Sequence, residues 1–411
     1  MKGLYNIAIH LYTAAITIAA AVNPKARLWI KGRRGLMERI EKQISERSTR
    51  PRVWFHIASL GEFEQARPII EQLREQRGDI EIIITFFSPS GYEIRKSYPL
   101  ADAIFYLPAD TPKNARRLIK AINPDVAVFI KYEFWLNYLA ELRRCNIPTL
   151  LVSAIFRRES IFFHPWGKIW RDALATFSNI FVQNDNSKLL LKELGIERVT
   201  VAGDTRFDRV RAIAHEAREI AFIKEFRGLN PLLVAGSTWR RDEELITTLA
   251  NDNPEIKFVI APHEIEDSHI EDIVKRCSGG AIRYTQCDTT TPVADYQVII
   301  LDTMGMLSAT YRYATWAYVG GGFGTGIHNI LEPAVYGLPI VFGPRYQKFN
   351  EAVEMVGRGI ARSISNYAEL SEWFAPLRDN ATLWQQLHNA SLTYTSSNCG
   401  ATERICEAIL K

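Results

Sequence analysis

Cysteine is scarce and poorly spaced for cross-linking. Five occur in 411 residues, at positions 145, 277, 287, 399 and 406, with no C-x-x-C pair. An odd, scattered set argues against a disulfide framework or a thiolate zinc site, and fits a reducing compartment. Histidines in metal-binding spacing are missing too: the eight present form neither HExxH nor HxH. His263, Glu264 and His269 read as a solvated face. No Asp-x-Asp triplet occurs, so a metal site is not expected and metal-independent chemistry is. Neither a G-x-G-x-x-G run with its distant acid nor a GxxxxGK[ST] loop is present, which argues against NAD and ATP. The formal charge of +4 is too small an excess to suggest nucleic-acid binding. Short repeats and low-complexity tracts are also absent.

What is present is globular. Hydrophobic residues make up 47% and charged residues 23% of the chain, enough for two or three domains with real cores. Residues 4–22 carry no formal charge and approach the length of a bilayer-spanning helix. Asn6, His10, Thr13 and Thr17 interrupt that run. A basic stretch follows, with Lys25, Arg27, Lys31, Arg33, Arg34, Arg39, Lys42, Arg47, Arg50 and Arg52 against Glu38, Glu41 and Glu46. The segment reads as an N-terminal membrane anchor, spanning or half-inserted, over residues 1–35. Trp29, Lys31 and Arg33 would form its interfacial flank, and the positive charge would keep the body on the cytoplasmic side. A buried helix of the soluble body is the competing reading.

From residue 53 onward, short β-branched and aromatic runs alternate with stretches of helical period. Strands are expected at 53–58, 80–86, 103–106, 126–130, 149–152 and 179–182, with helices at 64–76, 112–122, 133–144 and 187–194. After a helical 211–226 the alternation restarts. Strands fit 232–235, 257–261, 298–301, 316–319 and 340–341; helices fit 242–249, 264–276, 306–314, 329–335 and 350–356. Residues 367–410 look helical. The fold class is therefore α/β, as two doubly wound Rossmann-like domains with a hinge near 203–212. Ligands of such sheets sit beyond the strand carboxyl ends, which predicts a cleft faced by both domains.

Four constellations lie at those strand ends. Residues 56–62 read HIASLGE, placing Glu62 at a helix start. The helix dipole and free amides there would keep Glu62 ionised near neutrality, as a general base requires. A capping glutamate without chemistry is the plain alternative. Glu133 in KYEFW supplies a second carboxylate on the same rim, or a solvated helix N-terminus. Ser237 and Thr238 follow a strand and precede a helix, where hydroxyls and amides can cradle a phosphate or simply cap. Residues 320–326, GGGFGTG, permit close backbone approach to a ligand, and Glu332 one turn into the next helix could accept ribose hydroxyls.

Together these residues resemble the bacterial 3-deoxy-D-manno-octulosonic acid (Kdo) transferases. The resemblance runs along nearly the whole chain. It is carried by residues 56–62 with Glu64 to Pro68, by Glu133-Phe134-Trp135 with Asn137, by 203–208 (GDTRFD), by 302–305 (DTMG) and by 320–332. It implies a GT-B type glycosyltransferase. Residues 36–205 would bind the acceptor and 206–411 the nucleotide sugar, with the last helix free to pack back on the N-terminal domain.

By position, Glu62 matches the base, and Glu133 and Arg206 the transition-state stabilisers. Pro262, His263, Met304, Gly305, Met306 and 329–332 (Asn329, Ile330, Leu331, Glu332) match segments that hold CMP; Ser237, Thr238, Gly321 and Gly322 join them as binding candidates from the reading of their loops. The implied reaction is inverting transfer of Kdo from the donor substrate CMP-Kdo to a lipid A precursor, lipid IVA, in lipopolysaccharide core synthesis. It needs no cofactor and takes place on the cytoplasmic side of the inner membrane. Four departures from the family pattern stand out: His263 replaces an arginine, Met306 a glutamate, Ile330-Leu331 a Pro-Leu pair, and Ser153-Ala154-Ile155 an Asn-Ala-Arg stretch. Competing readings are another two-domain sugar-nucleotide enzyme, such as a UDP-sugar transferase or epimerase, and a non-catalytic binding protein.

Overall fold

The computed structural model describes residues 2–44, 49–288 and 290–411. Glu46 and Arg47 of the basic run lie outside them. The chain divides into two compact units, Met1–Asp208 with Cys399–Lys411, and Arg209–Asn398.

The first unit is built on seven strands: β1 (Arg52–Ile57), β2 (Glu81–Phe86), β3 (Ala103–Tyr106), β4 (Val126–Ile130), β5 (Thr149–Ala154), β6 (Asn179–Val182) and β7 (Val199–Val201). Their order is β3-β2-β1-β4-β5-β6-β7, parallel throughout. Strands buried on both faces need continuous apolar runs, and β1 is buried at all six positions. Its one charged residue, Arg52, is neutralised by Glu81 at 2.8 Å. The order reverses between β1 and β4, which makes their carboxyl ends the crevice where such folds take ligands.

The second unit repeats the plan with β8 (Leu232–Thr238), β9 (Lys257–Pro262), β10 (Ala281–Arg283), β11 (Val298–Ile300), β12 (Trp316–Val319), β13 (Ile340–Phe342) and β14 (Ala361–Ser363). The order is β10-β11-β9-β8-β12-β13-β14, again parallel, and the reversal lies between β8 and β12. The sequence reading misses β7, β10 and β14. Each has three residues and is only partly buried, so no continuous apolar run marks it as one marks β11 and β13. The expected helix 211–226 is two, Thr205–Glu216 and Ala221–Arg227. The helical tail is three, broken where the Asn380 side chain caps a new start and where Gly400 adopts a φ of +96°. The last helix, Ala401–Leu410, buries Ala401, Ile405 and Ile409 in one cluster with Phe63, Ile69 and Leu73 of the helix Leu60–Gln76. Asp208 caps it, accepting the amides of Gly400 at 2.6 Å and Thr402 at 2.8 Å.

The spanning anchor is corrected. Among the described residues no helix is long and apolar enough to cross a membrane. Helix α1 (Lys2–Ala19) is tied to the body instead. Tyr5 donates to Asp110 at 2.6 Å, Asn137 donates to Asn6 at 2.9 Å, and Tyr5 meets Trp170 edge-on. Such contacts leave one side of α1 against protein. The opposite side exposes Leu4, Ile7, Leu11 and Ile18, which helical spacing lines up as one stripe. Trp29 and Arg33 of α2 (Pro24–Arg33) are not an interfacial flank either. Trp29 is buried, and the Arg33 guanidinium stacks on Trp29 at 3.8 Å while donating to the carbonyls of Leu107 and Phe87.

Candidate active site and nucleotide-facing loops

In the first unit, Glu62 lies in the first turn of Leu60–Gln76, just past β1. Its carboxylate folds back and accepts the Ala58 amide at 2.7 Å. Burial, and then the negative charge of Glu133, push its pKa up to about 7, against the pull of the Ala58 and Ser59 amides and of Lys131. This corrects the expectation that dipole and amides alone would keep Glu62 ionised. A desolvated carboxylate beside a like charge resists ionisation. A base poised near operating pH is the more useful one.

Glu133 is not a solvated helix N-terminus. It is buried in the turn after β4, ahead of the helix Leu136–Arg144. The Trp135 indole donates to it at 2.6 Å, and His56 Nε2 lies 2.9 Å away. His56 is wholly buried in β1, beside Phe129 of β4 in register. Its Nδ1 faces the Thr85 carbonyl at 3.2 Å and the Thr85 hydroxyl at 2.9 Å. Nδ1 can donate to the carbonyl or accept from the hydroxyl. The Trp135 indole also lies 3.0 Å from His56 Nε2, so His56, Trp135 and Glu133 form one hydrogen-bonded group. His56 thus orients Glu133, a role the sequence reading did not assign.

Arg206 is in the same unit. It donates through Nη2 to Asp204 at 2.6 Å and through Nε at 2.9 Å. Burial pushes the Asp204 carboxyl up, but Arg206 and Lys131 outweigh it and hold the group below its ordinary range. Lys131 therefore biases both Glu62 and Asp204 toward the charged form. It does so from a left-handed backbone, φ +59°, a conformation that costs a non-glycine residue energy and clusters at functional sites. Thr205 donates to the Gln65 carbonyl at 2.7 Å, pinning this loop to the helix that carries Glu62.

In the second unit the β8 and β12 ends adjoin, with Gly236 paired to Val319. A Cβ on Gly320 would meet the Ser237 carbonyl at 2.2 Å, so only glycine fits there. Asp242 joins the two ends: it accepts from the Trp239 amide at 2.9 Å, the Gly321 amide at 2.9 Å and the Tyr318 hydroxyl at 2.6 Å. Two amides expected to face a phosphate are therefore already engaged by a buried carboxylate. Thr238 is fully buried and donates to Glu243, which also meets His269 at 3.0 Å. His269 is thus a buried partner and not a solvated one.

Other donor-site expectations divide. Ile330 and Leu331 are core side chains with no exposed surface, so only their backbone can reach a ligand. Pro262 ends β9 and is buried. Ser237 is half-buried at φ +53°. Gly322 packs flat on Gly343. Asn329 is exposed and donates to half-buried Glu332 at 3.0 Å. Met304 and Gly305 project on an exposed loop, while Met306 is half-buried and accepts the Thr303 hydroxyl. His263 is exposed and sandwiched, stacking on Trp239 with centroids 4.7 Å apart and on His328 at 4.6 Å. Burial, then His263, lowers the His328 pKa.

Residues 30–209 match a family model described as 3-deoxy-D-manno-octulosonic-acid transferase (kdotransferase). The chain is 26% identical over 373 residues to the 3-deoxy-D-manno-octulosonic acid transferase of Haemophilus influenzae, covering 87% of this chain and 86% of that protein. It is 26% identical over 343 residues to that of Aquifex aeolicus, covering 82% and 88%. Among solved structures it is similar to the UDP-GlcNAc 2-epimerase from Neisseria meningitidis bound to UDP-GlcNAc, with a TM-score of 0.61 and 16% identity over 87% of this chain and 99% of that one. That likeness concerns the fold alone, a doubly wound α/β architecture of GT-B type. By the family-model match over residues 30–209 and the likeness to these transferases over most of its length, the chain is similar to the 3-deoxy-D-manno-octulosonic-acid transferases, a family of glycosyltransferases.

Proposed function

We propose that this chain transfers Kdo from CMP-Kdo to a lipid A precursor with inversion, without a metal, in lipopolysaccharide synthesis. The observation that carries the reading is the cluster at the β1–β4 crevice, where Glu62 has a pKa of about 7 beside the Glu133–His56 pair. In this reaction the acceptor hydroxyl oxygen bonds to the anomeric carbon as the sugar–phosphate bond breaks. CMP leaves with the electron pair, and the hydroxyl proton passes to Glu62. Positive charge develops on the sugar ring, where Glu133 would steady it, and negative charge on the phosphate, where Arg206 would. Asn329, Glu332, His263 and the 320–326 loop would hold the nucleotide.

The test is CMP release from CMP-Kdo by the purified protein. Release only when the lipid precursor is present supports the proposal, and a product lipid heavier by Kdo completes it. Equal turnover with a UDP-sugar would overturn the donor assignment.

The pH profile provides a second check. kcat/KM should rise about tenfold per pH unit below the Glu62 pKa of about 7 and level off above it. Glu133→Gln removes a neighbouring negative charge, so Glu62 ionises more easily and the acid limb should move to lower pH. Lys131→Met should move it the other way. A limb that stays put in both variants would mean that Glu62 is not the titrating group.

We also propose that the chain works at the cytoplasmic face of the inner membrane, with α1 lying in the interface. The support is its exposed stripe of Leu4, Ile7, Leu11 and Ile18, the pattern of a helix that lies on a bilayer. Replacing Leu4, Ile7 and Leu11 together by Glu should reduce co-sedimentation with anionic vesicles by about tenfold or more. Undiminished co-sedimentation would remove α1 from the membrane contact.

A further inference from the structure

Next to Glu133 the first unit contains a cavity of about 440 Å³. Tyr5 and Ile9 of α1 form one wall, and Phe134, Ile161, Phe162 and Trp170 form much of the rest. The volume falls within the range of pockets that enclose small apolar ligands. Apart from Glu133, no group of the proposed chemistry lines it: the others are Glu62 and Arg206, while these walls are mostly aromatic and aliphatic.

Three features define what would fit. The cavity reaches Glu133 itself, so its occupant must belong to, or lie against, a molecule reacting at that rim. A second wall is α1, whose outer face carries the exposed stripe Leu4, Ile7 and Leu11. That stripe faces away from the cavity, but Ile161 of the lining is itself exposed, so an occupant can reach the outside past it. The rim feels charge of both signs, since Glu133 is part of the lining and both Arg157 and Glu62 act on Tyr132. Half-exposed Tyr132 lines the cavity, and the positive charge of exposed Arg157 acts on it. The segment after it also exposes Ile161 and Trp166, residue types that settle where hydrocarbon meets headgroups.

From this we infer that the cavity holds an acyl chain of the acceptor, with Arg157 facing an anionic group of the same lipid. The inference rests on the proposed reaction for its choice of acceptor, but it makes a separate demand: the enzyme must sense the acceptor's hydrocarbon and not only its sugar. A slender apolar chain suits a slot lined by aromatic rings. Its attachment to a phosphorylated sugar would place that sugar near Glu133, which lines the cavity. Acceptor selection by chain, and not by headgroup alone, follows.

The experiment compares the acylated lipid A precursor with its deacylated, water-soluble disaccharide bisphosphate as acceptors, in the same detergent. The readout is the ratio of their kcat/KM values. Ile161 is partly exposed, so its replacement should be tolerated by the fold. Ile161→Glu places a charge in the slot and Ile161→Trp fills it. Each should lower the acylated-to-deacylated ratio by about tenfold or more, because several methylenes lose their burial. A ratio within about twofold of the unaltered protein in both variants would overturn the inference.

A second measurement needs no turnover. A photoactivatable myristoyl probe is crosslinked to the unaltered full-length chain and the labelled peptides are mapped. Labelling within residues 5–9 or 160–170, displaced by the lipid precursor, supports the assignment. Labelling confined to other regions, or a chain-to-chain product at this face, overturns it. If neither acceptor is glycosylated, the proposed reaction fails, and the labelling result alone decides the cavity.

Discussion

Glu62→Gln is expected to lower kcat for Kdo transfer by about 10³-fold, in the range that a positioned general base contributes. Binding of CMP, measured by titration, should stay within about twofold. Glutamine keeps the shape and can still accept the Ala58 amide, so the loss would report the missing proton acceptor and not a collapsed loop. The same substitution carries a stability signature. Burial and Glu133 raise the pKa of Glu62 to about 7 in the folded chain, whereas an unfolded glutamate titrates near about 4.3. The folded state thus favours protonated Glu62. The stability this gives is intact below the unfolded pKa and is lost as pH rises through about 7. A glutamine at this position cannot ionise, so the variant should be more stable than the parent at about pH 8, by about 1–2 kcal/mol after allowing for partial exposure, and equal to it near about pH 4. Loss of activity together with gained stability at high pH is the pattern of a catalytic group held at a cost. A variant within about tenfold of parental activity would return Glu62 to the role of a helix cap.

How far the site could be read in the chain depends on the range of the interactions. Glu62 was visible because a strand, a glycine and a helix start fall close together in the chain, and local chemistry places them. The 320–326 glycines were visible for the same reason. The His56–Glu133 contact was not, because it spans 77 positions and depends on β1 lying beside β4 in register. The alternation of strands and helices shows that a parallel sheet forms, but not which strands are neighbours.

Ile330 and Leu331 illustrate the reverse. Their place in a recognisable motif suggested ligand contact, yet two large apolar residues at a helix start face the core because burial stabilises them there. The helix starts after β8 and β12 looked like open phosphate cradles. Asp242, read only as a residue of the next helix, reaches back and engages the amides of Trp239 and Gly321. Hydropathy offered a spanning α1 because its apolar run has no charges, and that form alone is corrected. Tyr5 and Asn6 commit one face to protein contacts, and only their partners, 105 and 131 residues away, reveal that.

Arg206→Met is expected to destabilise the chain by about 3–5 kcal/mol at neutral pH, the usual consequence of leaving a buried charge without its partner. Asp204 is only 7% exposed, and the substitution removes both of its guanidinium hydrogen bonds. Since Arg206 and Lys131 hold the Asp204 pKa down in the folded state, the stabilisation they give exists above the unfolded pKa and fades as pH falls through the folded one. The deficit of the variant should accordingly shrink in acid. Adding Asp204→Asn to Arg206→Met should recover part of the loss, and a double-mutant cycle measured by urea unfolding would give their coupling.

The single change Asp204→Asn separates the two roles of Arg206. It keeps the cation but loosens the hold on it. If Arg206 must be aimed at a developing phosphate charge, kcat should fall by about tenfold or more while KM for CMP-Kdo changes little, because a positioned charge acts mainly in the transition state. If Arg206 only balances Asp204, the asparagine variant should lose stability and keep kcat. The second outcome would move the cationic role to Lys131, whose strained backbone already places its charge close enough to act on both Glu62 and Asp204.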